Sequence, residues 1–542
     1  MKSSLVQKIQ ALIERHEFIL PLALFVVFLA VTLPGISWGY PDGWHPDEVV
    51  VRAIWVLRGE WQFSEINFDY PDLPQYVMFG LGKLVLALGY AEADIRVAAR
   101  VLSAALAGLT IVLTYLLARR ISGNRFTAGL AGLLLLCVSA MSHNGRFAHN
   151  DTFIAFFAVS AVLFLVNHAH SGGRGWLYAS FLAVGMAASS KYNGGSLVIA
   201  PAAVYLVLQR RHLWKDPLRT VEMVFLGGVL TFLGFALGTP KALFWMTYYF
   251  KRMVPALLHT GNYARQPDSV RGILGQYASF AEGTGWLLFI LFALAFGWAV
   301  HRTFQAWRSA PEQRDPQTPL LAILLLSILA LDLPIMVSYN FATRFFLPIY
   351  PLFAVLGGLF IAETWKRESY RKVVGTLLGL VLIISFARNI SVMLLFFNDP
   401  RTPASAYIAS LPAGMSLEYT YYPPNIPPGL FEREHNYPIY FKKSPDEDLP
   451  GNKKFKYNAG EDGLLQRGTD YLVVDTFTSD RFRDPYICET MQTECAFFQQ
   501  LETGQSGHYK RIARFDYSLP PYLPRVDISF VNPGIRIYQR IK

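Results

Sequence analysis

Long apolar runs alternate with short polar segments along about the first seven tenths of this chain. About eleven of these runs are long enough to cross a bilayer core of roughly 30 Å, for which a helix needs about 20 residues. The pattern therefore predicts a polytopic α-helical membrane protein with about 11 transmembrane helices. The predicted spans cover residues 18–35, 97–118, 126–142, 152–168, 176–190, 194–209, 221–238, 285–302, 319–338, 345–362 and 373–390.

The pattern changes after about Arg388, where aromatic, proline and charged residues interleave and no further crossing run appears. Residues 471–475 and 535–541 are predicted to form strands, and the second segment alternates with the period of two of a half-buried strand. A soluble domain of mixed α/β or mainly β structure is expected here. The predicted domains are residues 1–390, with a first outer loop at 36–96, and residues 391–542.

Positive charge is distributed in a way that indicates membrane topology. The net charge is +10, but Lys and Arg lie in short clusters between apolar runs rather than on one basic domain, so we predict no nucleic-acid partner. The clusters fall at alternate membrane exits and mark the cytoplasmic side. The outer loops and the C-terminal domain are then extracytoplasmic, and a bacterial inner or plasma membrane is the expected location.

Two of the three cysteines are predicted to form a disulfide bond. Cys137 lies within an apolar span and is expected to be a small buried residue. Cys488 and Cys495 lie in the domain predicted to be outside, where oxidising conditions permit a bridge. Two free thiols are the alternative.

The first outer loop contains a candidate general base. It includes the sequence WHPDE at residues 44–48, and the apolar residues that follow have the spacing of an amphipathic surface helix. Asp47 precedes this helix, whose dipole keeps a carboxylate ionised. The alternative is that Asp47 only caps the helix, which is the commonest use of Asp in this position.

Further ionisable and aromatic residues lie in the outer loops or at membrane depth, where each is a functional candidate. Carboxylates and aromatic rings suit sugar hydroxyls and sugar faces, and cations suit a phosphate. The alternative is ordinary anchoring, because Arg and Lys extend to the interface and a Pro-rich turn is solvated by its own acids. The candidate substrate-binding residues are His45, Asp69, Tyr70, Asp72, Arg146, Asp151, Lys191, Tyr192 and Arg344.

These residues together supply the parts of a glycosyl transfer from a lipid phosphate. Displacing a phosphate from a sugar carbon needs a base for the acceptor hydroxyl and positive charge on the leaving group. One base is enough because phosphate leaves readily, and a single in-line attack inverts the anomeric configuration. The rival hypothesis is a polytopic transporter or flippase of lipid-linked saccharides, whose unusual residues should instead gather near the midplane.

In the order and spacing of these motifs the first 390 residues or so resemble the GT-C superfamily, in the branch of protein O-mannosyltransferases and the lipid A aminoarabinose transferase. The resemblance implies a polyprenyl-phosphate-linked hexose or pentose as donor and a protein, glycolipid or polysaccharide as acceptor. It also implies Asp47 as catalytic base assisted by Glu48 or Asp69, with Lys191 and Arg344 on the carrier phosphate. A divalent metal (Mg, Mn or Zn) held by Glu48 and Asp69 is a further implication.

One departure from the family pattern concerns a lysine. Some relatives have Glu-Lys where this chain has Asp69-Tyr70, so another cation must bind the phosphate. The basic outer stretch at 239–285 offers Lys241 or Arg265. That stretch is either a binding surface for the anionic carrier or an interfacial helix whose cations rest on lipid headgroups.

Overall fold

The computed structural model describes residues 17–63, 68, 70–208, 217–262, 273–309, 317–336, 341–436 and 460–541. The chain forms two compact units. The membrane unit comprises residues 1–36 and 47–392, and the C-terminal unit comprises residues 37–46 and 393–542. The sequence places the boundary at residue 390, but it assigns residues 37–46 to the first outer loop of the membrane domain.

The membrane unit is helical throughout its described part. Its α-helices are α1 Ile19–Thr32, α2 Val50–Leu57, α3 Leu73–Ala87, α4 Glu92–Ser122, α5 Arg125–Leu136, α6 Ser139–Asn144, α7 Asp151–Ser171, α8 Arg174–Ser190, α9 Ile199–Leu208, α10 Pro217–Gly238, α11 Lys241–Phe244, α12 Met246–Asn262, α13 Ile273–Thr284, α14 Trp286–Arg308, α15 Thr318–Met336, α16 Tyr350–Trp365 and α17 Arg371–Phe397. Short 3₁₀ turns at Tyr192–Val198 and Thr343–Phe346 precede α9 and α16.

Several of these helices can cross a bilayer, and the chain is an integral membrane protein. Helical structure is required there because a spanning segment must satisfy its backbone hydrogen bonds internally. In the described part of the chain, six helical segments have the necessary length and hydropathy: Glu92–Ser122, Asp151–Ser171, Thr220–Gly238, Trp286–Arg308, Thr318–Met336 and Glu368–Ala409. Shorter apolar helices of 10–17 residues accompany them.

Small residues allow two of the helices to pack at close range. A methyl group added at Gly185 in α8 would collide with the backbone of α10 at Thr231, and one at Gly234 in α10 would collide with the carbonyl of Leu182. Glycine at both positions therefore lets the two backbones approach, as is common between helices in membranes.

The first outer loop contains more helix than the sequence predicts. The amphipathic helix expected after Asp47 is α2, and it buries Val50, Ala53 and Ile54. A second helix, α3, is apolar and begins with Pro74 in its first turn, a position that proline tolerates well. Since α4 begins at Glu92, only residues 88–91 separate α3 from the next helix.

The C-terminal unit is a mixed α/β fold. Its strands are β1 Ser416–Tyr419, β2 Arg433–Asn436, β3 Tyr471–Asp475, β4 Tyr509–Phe515 and β5 Ile535–Arg540, in the sheet order β2-β1-β3-β5-β4. β1 is parallel to β2 and β3, whereas β5 is antiparallel to β3 and β4. Both strands that the sequence predicts are present. The helices are α18 Arg401–Ala409, α19 Gly460–Arg467, α20 Thr476–Ser479, α21 Pro485–Thr490 and α22 Gln492–Thr503.

Two internal links stabilise the C-terminal unit. A disulfide bond joins Cys488 of α21 to Cys495 of α22, and it is the bond that the sequence predicts. Near the start of the unit, the indole N–H of Trp38 donates to Asp399 at 2.8 Å. Asp399 also pairs with Arg401, and both of these side chains are fully buried. Residues 37–46 are thus part of this unit through specific polar contacts.

Candidate functional site

Asp47 and Arg344 form an ion pair in the membrane unit. Both terminal nitrogens of Arg344 donate to Oδ2 of Asp47 at 3.2 Å. The side chain of Asp47 is 40% exposed, so solutes reach this carboxylate. The N-cap of α2 is Val49, and no side chain caps that helix end. Asp47 therefore lies before the helix without the capping role that its position would suggest.

A second charged group lies at the start of α7. The ammonium of Lys191 donates to Oδ1 of Asp151 at 2.7 Å, and the Nδ1 atom of His149 approaches Oδ2 of the same carboxylate. Asp151 and His149 are buried, whereas the Lys191 side chain is 15% exposed. Asp151 thus holds the lysine in one orientation beside the ring of Phe345, whose centroid is 4.7 Å from Nζ.

These two charged groups act on each other electrostatically. Burial by itself lowers the pKa of Arg344, but the neighbouring carboxylates of Asp151 and Asp47, together with the Tyr70 hydroxyl, raise it above its ordinary value. Burial also lowers the pKa of Lys191, and Arg344 lowers it further, against the opposing effect of Asp151. The five side chains therefore belong to one site, with Asp47 as its most exposed carboxylate.

Tyr70 is the residue for which the family resemblance leads us to expect a lysine. Its ring meets the His149 ring edge to face at a centroid distance of 5.8 Å, and the guanidinium of Arg52 lies 5.5 Å from its centroid. Burial raises the pKa of the Tyr70 hydroxyl, which therefore stays protonated at neutral pH. Tyr70 is placed to donate a hydrogen bond rather than to supply charge.

Glu48 is held in a buried ion pair next to Asp47. Arg100 donates to both of its carboxylate oxygens, at 2.7 and 2.9 Å, and Arg96 donates to one of them at 3.1 Å. The backbone N–H of Ala148 adds a fourth bond at 2.9 Å. Burial alone would raise the pKa of Glu48, but these partners hold it at about 2. Through the bond from Ala148, the Glu48 carboxylate connects the segment before α7 to the loop that contains Asp47.

Replacing Glu48 with Gln is expected to destabilise the membrane unit by about 3–5 kcal/mol, because the buried Arg100 and the partly buried Arg96 lose their counter-charge. Thermal unfolding of the purified protein, followed by tryptophan fluorescence, measures the change. Glu60 is the matched control, since its ion pair with Arg58 is about half exposed. Glu60→Gln should have the same melting temperature as the unmodified protein. An unchanged melting temperature in Glu48→Gln would contradict the structural role of Glu48.

Asp72 and Lys241 form a second buried pair. Their charged atoms are 3.0 Å apart, and neither side chain is exposed by more than 3%. Burial raises the pKa of Asp72 to about 6, against the lowering effect of Lys241. The ammonium also lies over the ring of Phe68 at 4.6 Å. Lys241 is therefore a cation that the structure places beside Phe68 and Asp72, while Arg265 lies outside the described residues.

The remaining candidates lie in different surroundings. Arg146 donates to the backbone carbonyls of Val31 and Ser142 and joins helix ends. The hydroxyl of Tyr192 bonds the Phe68 carbonyl at 2.9 Å and the Tyr249 hydroxyl at 2.7 Å. His45 belongs to the C-terminal unit, where its ring packs against Phe530. Asp69 lies outside the described residues.

The predicted metal ligands do not form a cluster in the described part of the chain. No group of three or more His, Cys, Asp or Glu side chains is arranged to hold a metal ion there. Both oxygens of Glu48 are engaged by guanidinium groups. A cation would have to displace Arg96 and Arg100, so Glu48 as bonded here does not fit a metal ligand, while Asp69 lies outside the described residues.

Sequence reasoning missed Arg96 and Arg100, the partners of Glu48. Both lie in the first turns of α4, four residues apart, and hence on one helix face. Their charge next to a long apolar run was the available signal. A hydropathy pattern starts the span at residue 97 and assigns such residues to topology rather than to an ion pair.

A sequence comparison covers part of the chain. A family model described as dolichyl-phosphate-mannose-protein mannosyltransferase matches residues 89–263, which is less than half of the chain. The matched range contains Asp151 and Lys191 but neither Asp47 nor Arg344. No curated protein sequence matches the chain.

Solved structures resemble the chain along nearly its whole length. ArnT from Cupriavidus metallidurans bound to undecaprenyl phosphate is 14% identical, with a TM-score of 0.54, over 95% of this chain and 97% of that one. The Archaeoglobus fulgidus oligosaccharyltransferase in its apo form is 12% identical, with a TM-score of 0.52, over 96% and 88%. Its complex with Zn and sulfate has the same identity and coverage and a TM-score of 0.50. At these identities the likeness shows a shared fold.

Proposed function

We propose that the chain is a membrane glycosyltransferase of the GT-C superfamily, which transfers one sugar, with inversion, from a polyprenyl-phosphate carrier to a hydroxyl acceptor. The observation that carries the proposal is the exposed Asp47 carboxylate bonded to Arg344, within the electrostatic reach of Lys191 and Asp151. A base and two cations thereby meet at one site. The donor sugar is a hexose or a pentose.

The proposed reaction is a single displacement at the anomeric carbon. The acceptor oxygen forms a bond to that carbon and gives its proton to Asp47. The bond from the carbon to the phosphate oxygen breaks, and the phosphate leaves with the electron pair. Arg344 and Lys191 stabilise the charge that develops on the phosphate, which preorganised cations do effectively in a site shielded from water.

The other residues have supporting roles in this proposal. Asp151 and His149 orient the Lys191 ammonium, and Tyr70 donates to a substrate oxygen where some relatives use lysine. Lys241, paired with Asp72, is a further candidate for binding the carrier phosphate. Glu48 fastens the Asp47 loop to the segment before α7. No step is assigned to a divalent metal, because the Glu48 oxygens already accept bonds from Arg96 and Arg100.

Transfer is tested with the purified full chain in liposomes. Polyprenyl-phosphate donors carrying labelled mannose, glucose, galactose, arabinose or aminoarabinose are supplied with a membrane extract as acceptor, and products are analysed by mass spectrometry. We expect one donor to give a covalent product whose anomeric configuration is inverted. Directional movement of the lipid-linked sugar across the bilayer without any covalent product would favour a transporter and refute the proposal.

We further propose that the site faces the extracytoplasmic side, in a bacterial cell the outer face of the inner membrane. The Cys488–Cys495 bond supports this orientation, because disulfides persist in oxidising compartments. In intact cells stripped of the outer wall, a membrane-impermeant phosphine followed by an impermeant maleimide should label two thiols per chain. Labelling that requires lysis would place the C-terminal unit in the cytosol. Cys137 is buried and serves as the unlabelled reference.

A further inference from the structure

The C-terminal unit contains a cavity of about 670 Å³ that the proposed chemistry does not use. Its walls are residues 42–46 on one side and residues 419–428 with Glu434 on the other. We propose that this cavity binds a neutral or amino-substituted saccharide. The inference rests on the proposed function for its consequence, which is that the acceptor is a glycolipid or polysaccharide rather than a protein hydroxyl.

Aromatic rings supply the flat surfaces that sugar rings need. Trp44, Tyr419, Tyr421 and Tyr422 all line the cavity. Tyr421 is 44% exposed and meets Tyr422 edge to face at 4.7 Å, so two ring faces point in different directions. A large rigid ring with a polar tip suits a ligand that has both apolar faces and hydroxyl edges.

The charges of the cavity favour a ligand rich in hydrogen-bond donors. Asp42 and Glu434 are exposed carboxylates on its wall, and Glu434 accepts from the Tyr419 hydroxyl at 3.0 Å. Arg401 also lies at the wall, but its charge is balanced by buried Asp399. Ionised carboxylates only accept hydrogen bonds, so hydroxyl or ammonium groups fit this cavity and a phosphate or carboxylate does not.

The aromatic wall is held in place before a ligand arrives. The indole N–H of Trp44 donates to Oδ1 of Asn425 at 2.7 Å, and the amide of Asn425 donates to the Tyr40 carbonyl at 2.6 Å. The guanidinium of Arg401 lies 4.3 Å from the Trp44 ring centroid. A wall that is ordered in advance reduces the entropic cost of binding.

The wall chemistry argues against an extended peptide as the occupant. Four prolines, at positions 46, 423, 424 and 428, line the cavity and have no N–H to pair with a peptide backbone. A proline-rich peptide can dock on aromatic rings, but it has few donors for Asp42 and Glu434. A saccharide uses both the rings and the carboxylates.

Binding is measured on the full chain in lipid nanodiscs by saturation-transfer NMR and calorimetry. The probes are mannotriose, maltotriose and chitosan trisaccharide, with a proline-rich and a Ser/Thr-rich decapeptide for comparison. We expect at least one trisaccharide to bind, and Tyr421→Ala and Glu434→Gln each to raise its Kd about tenfold. Tyr522→Ala and Glu489→Gln, exposed and outside the cavity, are the matched controls and should bind normally.

The outcomes separate this inference from the catalytic proposal. Absence of trisaccharide binding, equal weakening by test and control variants, or binding of a peptide alone would overturn the saccharide site. Asp47→Asn should keep trisaccharide binding. If binding persists in every form while no donor ever yields product, the catalytic proposal fails and the saccharide site stands by itself.

Discussion

Replacing Asp47 with Asn is expected to lower the rate of sugar transfer by about 10²–10⁴-fold, the usual contribution of a general base. Asparagine has nearly the same shape and can still accept a bond from Arg344, but it cannot take the proton of the acceptor hydroxyl. Initial rates at saturating donor measure the loss. Because the carrier phosphate is assigned to Arg344 and Lys191, the Kd of the donor should change little.

The matched control for this variant is Asp527→Asn, which alters an exposed carboxylate of the C-terminal unit. It should transfer sugar at the unmodified rate. The melting temperature of Asp47→Asn should also be close to that of the unmodified protein, since its carboxylate is partly exposed. Equal transfer rates in Asp47→Asn and Asp527→Asn would show that Asp47 is not the base. Its role would then be limited to the ion pair with Arg344.

Replacing Arg344 with Gln is expected to lower kcat by about 10²–10³-fold, similar to the loss of one preorganised group that stabilises developing negative charge. The guanidinium is mostly buried and interacts with Asp47, Asp151 and Tyr70. Its removal takes positive charge from the leaving phosphate, so the donor Kd should rise as well. Arg344→Lys should recover part of the rate, because it restores charge without the planar fork of arginine.

A double variant distinguishes the two possible roles of Arg344. If the arginine acts only by holding Asp47, Arg344→Gln combined with Asp47→Asn should be as slow as Asp47→Asn alone. If it also stabilises the phosphate, the double variant should be slower than either single variant. Arg367→Gln, at an exposed arginine, controls for loss of positive charge as such. Unchanged kcat in Arg344→Gln would refute a role in transfer.

Much of the fold follows from hydropathy, because a long apolar segment in a bilayer has few alternatives to a helix. The strands β3 and β5 could also be predicted, β3 from its buried apolar run and β5 from its two-residue alternation. The start of α4 could not be predicted from hydropathy. Its first turn contains Glu92 and Asp94, acids that stabilise the start of a helix but interrupt an apolar window. The helix α3 escaped detection because it is short and opens with proline.

The site was harder to predict from the sequence than the fold. Motif order indicated Asp47, Lys191 and Arg344, and the structure brings these three into one electrostatic group. The pairings were not predictable: Glu48 could equally be a reactive acid or an ion-pair partner until Arg96 and Arg100 were located beside it. Sequence spacing does not determine which charges meet across 50 to 300 residues, because that depends on how the helices pack.

The position of residues 37–46 has a consequence for biosynthesis. Trp38 and Trp44 complete the interior of a unit whose remaining residues begin at Met393. Domains usually fold as they emerge from the ribosome, N-terminal parts first, yet residues 37–46 can complete their unit only after residues 393–542 have been made. Secreting residues 393–542 alone should therefore give an aggregation-prone product, and supplying the missing decapeptide in trans should restore its solubility.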